Sequence, residues 1–172
     1  MKLSSATGAV AWLGAMFVLG PSATPYGNGD KASGGGTYFP EPGILSEFAF
    51  SSAAAQCKIG HAVLPGGITL QMLMMSTTVD SVVIDTSAGT ADLYGSMDSN
   101  TRLTLPDGTY ISLLETVPYH AHAADNGEPG AGVDTFSLSV TFTDTPGFDQ
   151  HDVFGPNPTF GGTLATGNVN VH

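Results

Sequence analysis

Cations are scarce in this chain. Lysine and arginine together account for 4 of its 172 residues, against 15 aspartates and glutamates, for a formal net charge of −11. A surface this negative repels phosphate backbones and anionic headgroups, which excludes nucleic acid and acidic membranes as partners. It attracts cations instead, and it keeps a protein dispersed. Cysteine is rarer still. Cys57 stands alone, so no internal disulfide can form, and stability must come from packing, from closure of a sheet or from a metal. Because it ends an apolar-alternating segment containing Phe48 and Phe50, Cys57 is expected as a buried thiol.

Helical periodicity is missing throughout, as is any late apolar run long enough to span a bilayer. The one long apolar run, from Gly8 to Leu19, follows Lys2 and precedes Pro21-Ser22-Ala23. That is the layout of a secretory signal peptide cleaved near Ala23, with an uncleaved membrane anchor as the competing assignment. Residues 1–23 are therefore read as a leader and the product as secreted, to the periplasm or beyond the cell. Residues 24–37, rich in Gly and Ser and including Gly34-Gly35-Gly36, read as a flexible linker. Residues 38–172 read as a single domain.

What is present in that domain is strand pattern. Apolar and polar residues alternate over 45–57, 69–75, 78–85, 90–97, 102–105, 109–117, 119–125, 134–143 and 161–171. Leu64-Pro65-Gly66-Gly67, Leu105-Pro106-Asp107-Gly108, Ser87-Ala88-Gly89 and Asp98-Ser99-Asn100 punctuate these runs as turns. Short strands joined by tight turns predict an antiparallel all-β domain, a β-barrel in preference to a two-sheet β-sandwich. Pairing the last strand with the strand around Phe48 and Phe50 would close that barrel. The segment from Phe148 to Pro158, with its prolines, reads as an excursion over a barrel mouth.

Two clusters suggest cation chemistry. Asp125, Asn126, Glu128 and Asp134 surround a Gly/Pro turn and supply the oxygens that a weak calcium site requires, although the spacing is not that of an EF-hand. The alternative is that Asp125 and Asn126 bond the backbone of their own turn. His120 and His122, two apart on a strand, share a face and suit zinc or copper. A third ligand would have to come from afar, with His61, His151 and Cys57 as candidates. The competing assignment is a pair of surface histidines. Met72 and Met74 read as core gap-fillers. No Gly-x-Ser-x-Gly elbow or His-Glu-x-x-His motif occurs, and no catalytic residue is assigned.

Several segments together resemble the post-COAP domain of secreted bacterial proteins. They are 76–81 leading into 90–95, the loop Asp125-Asn126-Gly127-Glu128-Pro129-Gly130, the strand Asp134-Thr135-Phe136-Ser137-Leu138, and the ending Gly161-Gly162-Thr163-Leu164 with Gly167-Asn168-Val169. The resemblance implies an extracellular all-β accessory module and brings no catalytic residues. The chain departs from it in the stretch from Asp149 to Pro158 and in His120 and His122. The resulting expectation is a secreted non-catalytic binding or structural module. It would be stabilised by calcium, with an extracellular polysaccharide or matrix component as partner. Two alternatives stay open: a small hydrolase or lyase using a histidine at the barrel mouth, and a carrier of an apolar ligand.

Overall fold

A computed structural model describes residues 30–41 and 44–172. The leader assigned to residues 1–23 and the first part of the linker lie outside the described residues. Among the described residues, nine strands, one short α-helix and one 3-10 turn, Pro65–Gly67, are formed. The strands are β1 (Ala32–Glu41), β2 (Ile44–Ser51), β3 (Ala54–Leu64), β4 (Ile68–Ser76), β5 (Ser81–Asp85), β6 (Thr90–Thr104), β7 (Tyr110–Ala124), β8 (Thr135–Val140) and β9 (Thr159–Val171), with α1 (Gln150–Phe154) between the last two. The order β4-β3-β2-β1-β9-β8-β7-β6 returns on itself through β4–β6 pairing, giving a closed barrel of eight antiparallel strands. β5 adds outside that ring, pairing with Thr90–Tyr94 of β6 while β4 pairs with Met97–Thr104. The barrel expectation holds over the sandwich.

Closure differs from the expected pairing. β9 meets β1 and β8, and β1 stands between it and the Phe48/Phe50 strand, β2. Residues 32–37, read as linker, are thus a barrel strand. The glycines that suggest flexibility serve close approach. A Cβ on Gly36 would overlap the Thr166 carbonyl, and one on Gly34 would come within 2.6 Å of Phe50 Cε1. Glycine lets β1 fit where any larger residue collides. At its open end β1 is tied to β9: Lys31 N–H donates to the His172 carbonyl and His172 N–H to the Lys31 carbonyl.

Two further expectations are corrected. The run 45–57 is two strands, β2 and β3, turning at Ser52-Ala53. Asp98-Ser99-Asn100 is no turn, because β6 runs straight through it, and β7 likewise continues across Pro118. The other three punctuators are turns, with Gly66, Gly89 and Gly108 at positive φ.

The barrel is filled by its own side chains. Tyr38, Phe136, Met72, Met74, Met97, Leu93 and Leu138 are fully buried, and the Phe48 and Phe136 rings stack with centroids 4.3 Å apart. Each such side chain contributes about 1.5–3 kcal/mol by leaving water. Packing of this kind occupies the space that an apolar cargo would need. The excursion after β8 packs against the core through Val153 and Phe154. Its helix α1 inserts Gln150, whose Oε1 accepts from Ser99 Oγ at 2.6 Å and from Thr101 Oγ1 at 2.9 Å, while Nε2 donates to the Ser99 carbonyl at 3.1 Å.

Candidate metal centre on the outer wall

β6 and β7 form a long antiparallel pair in which Asp92 lies opposite His122 and Tyr94 opposite His120. Alternation along the strands sends Ala91, Leu93, Tyr119, Ala121 and Ala123 into the core. Asp92, Tyr94, His120 and His122 are thereby left on the outer face. Small alanines beneath the histidines seat this part of β7 against the core without crowding.

On that face, Asp92 Oδ1 lies 2.6 Å from His120 Nε2 and 2.9 Å from His122 Nδ1. The carboxylate can only accept, so each ring nitrogen donates a proton to the same oxygen. The side chains are neither sealed nor free: His120 is 40% exposed, His122 39% and Asp92 24%. Partial burial pushes the Asp92 carboxyl upward, but the hydrogen bonds from His120 and then His122 outweigh it and hold the group below its ordinary range. The Tyr94 ring stacks on His120 with centroids 4.4 Å apart and planes 5° from parallel. This holds the imidazole by its face, while Asp92 holds it by Nε2.

One ligand atom from each of Asp92, His120 and His122 falls within a 4.8 Å span. Two imidazole nitrogens and a carboxylate oxygen make a donor set suited to zinc, copper or other first-row divalent ions, with an open side toward solvent. The protons now shared with Asp92 Oδ1 are the ones such an ion would displace. Asp92 stands where a third candidate ligand is needed, which spacing within β7 could not supply. Its sequence signal is a charged residue, Asp92, at an outward position in the middle of Thr90-Ala91-Asp92-Leu93-Tyr94.

The other candidate ligands are placed elsewhere. Cys57 and Met74 are fully buried inside the barrel, and the side chain of His61 lies outside the described residues. His151 sits on α1 beside Asp149 and Asp152, but those carboxylates are engaged in capping. Asp149 accepts from Asp152 N–H and Asp152 accepts from Asp149 N–H, a reciprocal box at the helix start. Asp149 also accepts from the Thr145 hydroxyl and amide, both at 2.6 Å. The Thr145 hydroxyl is the first cause of a carboxyl held down to about 2.

The four residues expected to hold calcium all lie around one loop, each with a protein partner. Asp134 is fully buried, and its two oxygens accept from Asn126 N–H and Val169 N–H, both at 2.8 Å. The Asn126 amide donates to the Val133 carbonyl at 2.9 Å. Glu128 Oε1 accepts from Asn168 Nδ2 at 2.7 Å, and Asp125 Oδ2 from Val171 N–H at 3.3 Å. The loop is thus pinned to β9 by side chains. Gly130 is required there, since a Cβ would overlap both Asp134 Oδ2 and Asn168 Oδ1.

No family model, curated protein or solved structure matches this chain.

Proposed function

We propose that this chain is a secreted, non-catalytic binding module that holds a divalent transition metal, zinc or copper, on its outer wall at Asp92, His120 and His122. The observation that carries the reading is the convergence of both imidazoles on Asp92 Oδ1 at 2.6 and 2.9 Å. The shared carboxylate holds both imidazoles at one place on the wall, and the stacked Tyr94 ring steadies one of them. The strongly acidic composition draws cations toward the wall. An outward site on a filled barrel suits a module that presents or sequesters an ion, in keeping with the accessory role that the post-COAP resemblance implies.

Calorimetric titration of untagged, metal-free protein with zinc and with copper tests this. One equivalent should bind saturably, and His122→Ala and Asp92→Asn should each weaken binding at least about tenfold while keeping the wild-type melting temperature. Absence of saturable binding at about 0.1 mM metal would reject the site, as would binding that both variants retain.

A further inference from the structure

The far half of β6 carries a second feature, on the wall it shares with β3 and β4. The β3–β4 register slips between Ile59 and Ala62, and Gly60, at this irregularity, contributes no side chain. The result is a cavity of about 280 Å³ whose lining includes Lys58, Gly60, Gln71, Leu73, Asn100 and Arg102. Register explains the grouping. Lys58 lies opposite Leu73 and Leu73 opposite Asn100, while Gln71 lies opposite Arg102. Bulged register beside a concave surface is a common way to aim side chains at a ligand.

The charge of this groove runs against that of the molecule. The described residues include three basic side chains, Lys31, Lys58 and Arg102, and two of them line this one cavity. Lys58 shares its charge with Glu47 at 3.2 Å. Arg102 makes no ion pair among the described residues, and its guanidinium lies 4.1 Å over the Tyr110 ring. A guanidinium set against a ring and not against a carboxylate keeps N–H donors for a planar, bidentate acceptor, which is the geometry of a carboxylate. Gln71 and Asn100 supply neutral donors and acceptors of the kind that read hydroxyl groups, and Leu73 supplies an apolar surface.

The geometry points to a binding groove for a carboxylate-bearing sugar, a hexuronate unit, with Arg102 as its anchor. The ligand is short, because a long polyanion would be repelled by the net negative charge of the molecule. This site stands apart from the metal centre: Asp92 lies near one end of β6 and Arg102 near the other.

Amide chemical-shift titrations of the isotope-labelled full chain test it, using a galacturonate trimer, a neutral galactose trimer and inorganic phosphate. The uronate should shift amides in residues 58–60, 71–73 and 100–102 saturably, with the neutral trimer weaker by about tenfold. Arg102→Gln should weaken uronate binding about tenfold. Gly60→Val should weaken it about tenfold by occupying the notch; a Cβ there meets the Leu45 carbonyl at 3.6 Å, an ordinary contact. Four results would overturn the proposal: no saturable shift at about 10 mM uronate, equal binding of the neutral trimer, phosphate binding as well as the uronate, or folded variants that bind like the wild type. If either variant fails to fold, the comparison of the three probes on the wild-type chain decides alone.

Discussion

The Tyr38 hydroxyl lies 3.1 Å from the Cys57 sulfur inside the barrel, where neither side chain has exposed surface. Burial pushes the Cys57 thiol up to about 12, with the Tyr38 hydrogen bond opposing it only in part. Thiolate is the reactive form, so Cys57 in the native protein should resist a thiol reagent at pH 8 and react promptly in denaturant. Tyr38→Phe should cost about 1 kcal/mol in urea melts by removing that partner. A thiol pKa raised on folding stabilises the native state below the unfolded value of 9.0, and that contribution is lost as pH climbs toward about 12. Thermal melts across that window should show a steady fall.

Asp134 should behave as a latch between the loop and β9. Asp134→Ala strands the amides of Asn126 and Val169, and should cost about 3 kcal/mol, near 10 °C in melting temperature.

Gly130→Ala should be as damaging as losing the latch itself. The added methyl overlaps the two acceptors that meet there, so the loop must shift off Val169. Hydrogen exchange at the Asn126 and Val169 amides would report that release directly.

Gln150→Ala should cost about 2–3 kcal/mol in urea melts although it lies on a short surface helix. The hydroxyls of Ser99 and Thr101 point into the barrel and lose their acceptor with it. A double substitution of those two to Ala and Val should recover part of the loss by removing the stranded groups.

Asp149 should titrate near 2 in a carbon-detected NMR experiment and move toward the ordinary 3.8 in Thr145→Val, which lacks the hydroxyl donor. A carboxyl lowered on folding stabilises the native state above 3.8 and loses that contribution as pH falls through about 2. The helix cap should therefore loosen in that acid window.

The barrel class and most turns are legible in the sequence because alternation and Gly/Pro punctuation are local. Partners distant in the chain are not. Ser99 looks like a turn residue until Gln150, 51 residues away, satisfies it together with Thr101. Gly34-Gly35-Gly36 looks like linker until two flanking strands press on it. The His120/His122 pair is visible from its spacing of two. Asp92, 28 residues before His120, is fixed only by the β6–β7 register.

The reciprocal bonds between Lys31 and His172 set how the barrel meets mechanical load. The start of β1 and the finish of β9 are paired neighbours at one pole, so tension applied through the two ends pulls directly apart the strands that close the ring. Their bonds then break one after another rather than in shear together. The barrel should therefore unzip at low force when pulled through Lys31 and His172, and resist far more when pulled across β6 and β7.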